Sequence, residues 1–232
     1  MILLREIPYK GNRGRRWSVI NNMRLPFVWL LAGAAATAQP FTAGVKAGVP
    51  LSDFLNTVET QRFRFDQTTN RYIIGATAEL RLPFGLGIEV DALYRHFSYQ
   101  GSVALIDVLT SSSASGNAWE FPVLVKYRFP ARIVRPYVDA GVAWDTLSGL
   151  GQTITTTVFP SRTTTISTSN PAELHKNTTT GFVMGVGLDA HVVLHISPEI
   201  RYTRWGAQHF LDPNGGLQSN QNQAEFLVGI TF

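Results

Sequence analysis

Residues 119–129 read Trp-Glu-Phe-Pro-Val-Leu-Val-Lys-Tyr-Arg-Phe, and this stretch decides the fold. Its odd-numbered positions are aromatic at both ends and valine in the middle, whereas its even-numbered positions include Glu120, Lys126 and Arg128. Because successive strand side chains point to opposite faces, the pattern predicts a strand with one apolar and one largely charged face. Its length of about 11 residues and its aromatic ends are typical of a tilted transmembrane strand. A half-buried strand of a soluble sheet alternates in the same way, so the remaining chain must distinguish the two.

Seven further segments show the same alternation. With 119–129, the predicted strands are residues 41–49, 72–82, 86–96, 136–144, 180–190, 194–202 and 224–232. Their connections alternate between long and short, and the long ones are residues 51–70, 98–117, 146–177 and 206–222. Long extracellular loops and short periplasmic turns produce this alternation. The sequence therefore predicts an all-β fold, an eight-stranded antiparallel up-and-down transmembrane β-barrel with both termini on the periplasmic side.

A lipocalin-like barrel or a β-sandwich is the soluble alternative. Such a fold would bury the apolar face of each strand and expose the charged face to water. It predicts neither the long-short alternation of the connections nor the aromatic residue, Phe232, that ends the last strand. Both features favour the membrane barrel.

Charged residues within the predicted strands all fall on the face opposite the apolar one. They are Lys46, Glu79, Arg81, Glu89, Asp91, Arg95, Glu120, Lys126, Arg128, Asp139, Asp189, Glu199, Arg201 and Glu225. An eight-stranded barrel has an interior just wide enough for side chains to fill. Nearly balanced charges can pair there, so we expect an interior network of ion pairs that fixes strand register. A gated ion path is the alternative.

Two prolines lie within predicted strands, and the Thr-rich segment 153–169 shows strand propensity outside them. Pro122 and Pro198 cannot donate a ladder hydrogen bond, so we expect a bulge or a register break at each. The segment 153–169 is polar but β-prone, and it is predicted to extend a hairpin beyond the membrane, where an extended edge can bind a partner.

A secretory leader precedes the barrel. Residues 23–38 combine a positive start, a short apolar core and an Ala36-Thr37-Ala38 ending, which predicts cleavage before Gln39. Residues 1–22 either extend the leader or precede a true start at Met23, and we favour the second because the segment from Met23 is already a complete signal. The predicted domains are a leader, residues 1–38, and a barrel, residues 39–232.

Charge and cysteine content exclude several functions. Six of the 20 basic and one of the 16 acidic residues lie in 1–38, so residues 39–232 have a net charge of −1. The high overall pI therefore gives no support for nucleic-acid binding. The chain has no cysteine, which excludes disulfides and thiolate metal sites. His191 and His195 lack an adjoining carboxylate cluster, so no metal or other cofactor is expected.

The segments 135–141 (Arg-Pro-Tyr-Val-Asp-Ala-Gly) and 197–202 (Ser-Pro-Glu-Ile-Arg-Tyr), with the strand pattern and the last strand, resemble OmpA-like and OmpX-like eight-stranded outer-membrane barrels. The resemblance covers residues 39–232. It implies a monomer in the bacterial outer membrane, surrounded by outer-membrane lipid. It also implies that the last strand is a signal for the barrel assembly machinery, carried by Phe226, Val228, Ile230 and Phe232.

The pattern specifies a fold more than an activity. We expect a non-enzymatic structural or surface-interaction protein whose loops meet an extracellular partner that the sequence does not identify. One alternative is a lipid A-modifying hydrolase, because His96 and Ser98 resemble the base and nucleophile of lipid A deacylase barrels. The acid that such a pair needs is missing, since Glu120 on the next strand has inward parity. A narrow pore is the other alternative. His175 and His209 lie in predicted loops and are expected to be solvated.

Overall fold

The computed structural model describes residues 41–57, 63–69, 72–160, 162–171, 173–191, 194–211 and 217–232. The predicted leader, its cleavage site before Gln39 and the alternative start at Met23 lie outside these residues. Within the described part of the chain, no helix is long and apolar enough to cross a membrane.

Twelve strands and one turn of 3-10 helix, Pro83–Gly85, make up the regular structure of the described residues. The strands are β1 (Phe41–Pro50), β2 (Leu55–Thr57), β3 (Phe63–Thr69), β4 (Ile73–Arg81), β5 (Leu86–Ala104), β6 (Val108–Arg128), β7 (Val134–Val158), β8 (Arg162–Thr168), β9 (Thr178–His191), β10 (His195–Trp205), β11 (Leu217–Ser219) and β12 (Asn222–Thr231).

Eight of these strands close into a ring. Each pairs antiparallel with the next in the order β1, β4, β5, β6, β7, β9, β10 and β12, and β12 returns to β1. Closure leaves no free edge in the barrel wall, which is what a β structure needs in a bilayer that cannot hydrogen-bond to the backbone. The predicted eight-stranded antiparallel barrel is confirmed.

An apolar belt covers the outside of the ring. Alternate residues of every barrel strand are exposed and mostly aliphatic, and aromatic side chains lie at both ends of the belt. On β6 the exposed outward residues include Trp119 and Phe121 at one end and Tyr127 at the other, with valines between them. An exposed apolar surface of this extent is not stable in water. The belt therefore faces lipid, and residues 119–129 form a membrane-spanning part of β6.

Three strands are much longer than the sequence analysis predicted. The predicted loops 98–117 and 146–177 are in large part strand, because β5 continues to Ala104, β6 begins at Val108 and β7 continues to Val158. The Ser- and Thr-rich segments of these strands pair with one another beyond the barrel, and β3 and β8 add to the two sides of the sheet that they form. Their polar composition favours a loop, but β-branched threonines fit a two-sided exposed sheet as well.

Neither proline produces the expected register break. The β5–β6 ladder lacks two successive pairs, one of which would include Pro122, and then resumes in the same register. The β9–β10 ladder does the same at Pro198. Each proline pairs in register on its other side, with Ala143 and Val228 respectively. The one register shift of the β6–β7 ladder lies between Ser115 and Asn117.

Gly149 lies opposite this shift, with a φ of +60°. Glycine adopts positive φ without the steric penalty of a side chain, so it can supply the extra residue of a β-bulge. The bulge lies where the barrel wall gives way to the projecting sheet.

Candidate functional site

Arg201 and Lys46 form the centre of the charged interior. Lys46 Nζ lies 2.5 Å from Glu89 Oε1, 3.0 Å from Asp91 Oδ2 and 3.3 Å from Glu199 Oε2. Arg201 donates from Nε to Glu199 Oε1 at 2.7 Å and from Nη2 to Asp91 Oδ2 at 2.9 Å. Arg201 is 0% exposed, so contacts with these carboxylates have to compensate for the lost hydration of its charge. The cluster joins β1, β5 and β10 across the lumen.

Lys126 and Tyr137 extend this cluster to β6 and β7. Lys126 Nζ contacts Glu89 and lies 4.1 Å from the centre of the Tyr137 ring. The Tyr137 hydroxyl donates to Glu199 Oε2 at 3.1 Å. Tyr137 therefore bridges two charged groups. Its hydroxyl donates a hydrogen bond to Glu199, and its ring forms a cation–π contact with Lys126.

A second cluster lies at the periplasmic end of the lumen. Arg128 forms a two-point contact with the carboxylate of Glu79, and its Nε donates to Asp189 Oδ2 at 2.7 Å. His195 Nδ1 lies 3.0 Å from Asp189 Oδ1, and its Nε2 lies 3.0 Å from Arg81 Nη1. Arg81 is the one predicted interior charge that is not buried, with 26% of its side chain exposed, because it lies at the periplasmic rim.

A third cluster lies near the extracellular end. Arg95 Nη2 lies 3.3 Å from Asp145 Oδ2, and Arg95 Nη1 lies 3.3 Å from Glu225 Oε1. His209 Nε2 approaches the same Asp145 oxygen at 3.2 Å. His209 is 4% exposed, so the expectation that it is solvated is wrong. Asp145 was not among the predicted interior residues, because the predicted strand ended one residue before it.

Acids outnumber bases in the interior. The buried or partly buried charged residues of the described barrel strands, all of inward parity, are the acids Glu79, Glu89, Asp91, Glu120, Asp139, Asp145, Asp189, Glu199 and Glu225, and the bases Lys46, Arg81, Arg95, Lys126, Arg128 and Arg201. Glu120 and Asp139 have no basic nitrogen of the described residues within 4.0 Å, unlike the other acids. Twelve of the fourteen predicted charges thus lie in three clusters, and Glu120 and Asp139 lie outside them.

An apolar layer closes the extracellular mouth above the charges. We call it the mouth plug; it consists of the buried residues Phe54, Leu55, Phe97, Tyr99, Ala114, Ala118, Leu147, Phe210 and Leu217. The ring of Phe97 lies 4.9 Å from that of Phe54 and 5.7 Å from that of Phe210. Phe54 and Phe210 come from two different predicted loops, and both side chains are buried at the mouth of the barrel instead of extending outward. A small sheet of β2 and β11 joins the same two loops.

Polar contacts tie further loop residues to the mouth. Glu173 accepts a hydrogen bond from Gln152 Nε2 at 3.0 Å. Burial, and after it the negative charge of Glu173, raises the pKa of Tyr99 above its ordinary value. His209 Nδ1 lies 2.8 Å from the backbone oxygen of Lys176. Polar contacts from loop residues therefore surround the mouth plug and attach these loop residues to the strands.

His96 and Ser98 lie on the outward face of β5, as their parity predicts. His96 Nδ1 lies 2.9 Å from Asn117 Oδ1, which also accepts a hydrogen bond from the Tyr94 hydroxyl at 2.8 Å. Glu120 is buried on the inner side of the wall. Among the described side chains, the group beside His96 is thus an amide rather than the carboxylate that a hydrolytic triad needs.

The projecting hairpin of β7 and β8 is stiffened by pairs of hydroxyl groups. On its outward face, the side chains of Thr153 and Ser167, Thr155 and Thr165, and Thr157 and Thr163 meet in three successive cross-strand pairs, each with an oxygen–oxygen distance of 3.3 Å. Beyond Trp144, β7 continues for a further ~45 Å along the strand at about 3.3 Å per residue. Within the described residues, β8 pairs with β7 alone, so its other edge is open.

Three residues of the predicted assembly signal lie in β12, and the fourth, Phe232, follows it directly. Phe226, Ile230 and Phe232 are exposed on the outward side, and Val228 is half-buried. Their recognition by the assembly machinery stays a prediction. The described residues include no group of three or more His, Asp or Glu side chains arranged to hold a metal ion.

Comparison with protein families matches residues 27–232 to a family described as outer membrane protein beta-barrel domain. No curated protein matches the chain. Among solved structures, Neisserial surface protein A is 13% identical, with 83% of this chain and 97% of that chain covered and a TM-score of 0.40. OprG of Pseudomonas aeruginosa is also 13% identical, with 83% and 94% covered and a TM-score of 0.40. Ail, the attachment invasion locus protein of Yersinia pestis, is 9% identical, with 83% and 99% covered and a TM-score of 0.37.

Proposed function

The chain belongs to the outer membrane protein beta-barrel domain family, and from this premise we propose that it is a closed barrel of the bacterial outer membrane that acts as a surface-interaction protein. The observation that carries the proposal is the β7–β8 hairpin, which projects beyond the lipid-facing belt and ends in an open strand edge. This polar hairpin lies outside the membrane, so it does not contribute to spanning the bilayer. It is suited to contact with another molecule.

Strand addition is the mode of contact that the hairpin fits. β8 reads Arg162-Thr-Thr-Thr-Ile-Ser-Thr168, without proline, glycine or an acidic residue. Natural edge strands are usually protected by prolines, bulges or charges that prevent further pairing. The near-absence of such protection in β8 makes it a template for an extended segment of an extracellular partner.

The interior supports this proposal over a narrow pore. Both the central ion-pair cluster and the mouth plug lie across the lumen, and their side chains are buried. A small barrel with a filled interior leaves the outside as its working surface.

We predict that shortening the hairpin abolishes surface binding without unfolding the barrel. Because Thr153 and Ser167 are directly opposite each other, residues 154–166 can be replaced by Asn-Gly, which forms a two-residue hairpin turn. Cells that carry the shortened chain should adhere to a panel of immobilised proteins and glycans no better than cells without the chain. The barrel should keep its shift in gel mobility on boiling.

A matched variant separates the strand edge from the hydroxyl groups. The triple variant Thr163→Ala, Thr165→Ala, Ser167→Ala removes the three β8 hydroxyls that pair with β7 and leaves the backbone edge intact. We expect it to retain adhesion. Adhesion by the shortened chain at the level of the original chain would contradict the proposed function.

The proposed function assigns no catalytic role to Ser98 and His96, and the lipid A of the cell tests this. Ser98→Ala should leave the masses of the cell's lipid A species unchanged, because the outward face offers His96 an amide partner instead of a carboxylate. Mass spectrometry of lipid A from cells that express either chain provides the comparison. Loss of a deacylated lipid A species in the Ser98→Ala cells would show that the barrel is an enzyme.

A further inference from the structure

An apolar groove lies on the outer surface of the barrel, where β7, β9 and β10 approach the extracellular side. Its volume is about 420 Å³, and its floor and walls include Val142, Trp144, Gly181 and Phe182. Val142, Trp144 and Phe182 are exposed and have outward parity, so the groove opens toward lipid rather than toward the lumen. A concave apolar surface of this kind can receive one acyl chain.

Arg204 lies at the groove and is unlike every other charge of the barrel. Cα register pairs Val142 with Phe182 and Phe182 with Arg204, which places the three side chains side by side on neighbouring strands. All other Lys, Arg, Asp and Glu residues of the eight barrel strands have inward parity. Arg204 alone among them is exposed on the outward side.

The charge of Arg204 has no counter-ion among the described residues. Its Nη1 donates to Asn222 Oδ1 at 2.5 Å, and the Tyr202 hydroxyl donates to the same oxygen at 2.7 Å. Asn222 is neutral, and no described carboxylate lies within 4.0 Å of the guanidinium group. Charged groups on the lipid face destabilise a barrel unless they reach the interface. At this position the guanidinium group can pair with an anion of the membrane.

We propose that the groove and Arg204 form a binding site for lipid A, with an acyl chain in the groove and a phosphate on the guanidinium group. The planar guanidinium fork fits phosphate in two-point contacts. Lipid A carries phosphates directly above its acyl chains, so one molecule supplies both parts of the ligand. Asn222 and Tyr202 lie beside Arg204 and offer polar groups to the sugar.

The position along the barrel selects lipid A over a phospholipid. The groove lies toward the end from which the long β7–β8 hairpin projects, and this end faces the cell exterior. The outer leaflet there consists chiefly of lipopolysaccharide. A glycerophospholipid of the inner leaflet would face the opposite end of the barrel.

Native mass spectrometry of the purified barrel in mild detergent tests the site. Added lipid A should be retained as one molecule per barrel. Arg204→Gln removes the charge and should weaken retention about ten-fold or more, the effect typical of losing a charge-assisted contact. Val142→Trp fills the groove and should also weaken retention, because the acyl chain no longer fits there. The shift in gel mobility on boiling identifies variants that remain folded.

Matched controls make the same changes away from the groove. Arg162→Gln removes one extracellular positive charge from β8, and Val125→Trp enlarges an exposed lipid-facing valine on β6. Both should retain lipid A like the original chain. Equal retention by Arg204→Gln or by Val142→Trp would overturn the site. Equal retention of dephosphorylated lipid A, or of phosphatidylglycerol, would overturn the assignment of the ligand.

Discussion

Arg201→Leu is expected to destabilise the barrel by about 3–5 kcal/mol, the cost of removing one partner from a buried ion pair. Arg201 is completely buried and contacts Glu199, Asp91 and Glu89 through its Nε and Nη2 atoms. Leucine would leave these carboxylates with only lysines to compensate them. Arg201 connects β10 with β5, which lies on the other side of the lumen, so we expect its loss to lower the free energy of unfolding of the whole barrel.

Urea unfolding in phosphatidylcholine bilayers, followed by tryptophan fluorescence and by gel mobility, measures this effect. Arg204→Leu is the matched control, since Arg204 lies three residues further along the same strand and faces outward. In bilayers without lipid A, we expect it to change the free energy of unfolding by less than about 1 kcal/mol. Equal destabilisation by both variants would contradict the ion-pair account of the interior.

Phe97→Ala is expected to have the second large effect, a loss of about 3–5 kcal/mol from the packing of the mouth plug. Phe97 is 0% exposed and packs against Phe54 and Phe210, which belong to two different loops. The cavity left by alanine should loosen both loops while the membrane-spanning strands remain paired.

Hydrogen exchange distinguishes this local effect from general unfolding. In Phe97→Ala, amides of β2 and β11 should exchange faster, whereas those of β1 and β12 should keep their protection. Phe84→Ala is the control, because Phe84 lies in a periplasmic turn and is 93% exposed. Unchanged exchange in β2 and β11 of Phe97→Ala would show that the plug does not hold the loops.

The strand alternation alone was sufficient to predict the barrel and the side on which each charge lies. Period-2 patterning is a local property, so it can be read from segments such as 119–129 without knowledge of the neighbouring strands. Arg81 and Asp145 show the limit of this reasoning: one is at the rim and partly exposed, and the other continues a strand past its predicted end. Both depend on where the strand begins or ends, which alternation does not define.

The mouth plug and the projecting sheet could not be predicted in the same way. Phe54 and Phe210 are isolated apolar residues in polar segments, and their burial depends on contacts more than 40 residues away in the chain. His209 was expected to be solvated for the same reason. The Thr-rich extension was partly predictable, since segment 153–169 is β-prone, but the continuation of β5 and β6 through Ser-rich stretches required knowledge of their partners.

Site-specific labelling tests the central claim, a membrane-spanning barrel with its hairpin outside the cell. The chain has no cysteine, so each introduced cysteine is a unique label site. A membrane-impermeant maleimide should label Thr165→Cys, on β8, in intact cells. It should label Phe84→Cys, in a periplasmic turn, only after the outer membrane is permeabilised. Labelling of Phe84→Cys in intact cells, or of Thr165→Cys only after permeabilisation, would contradict the account.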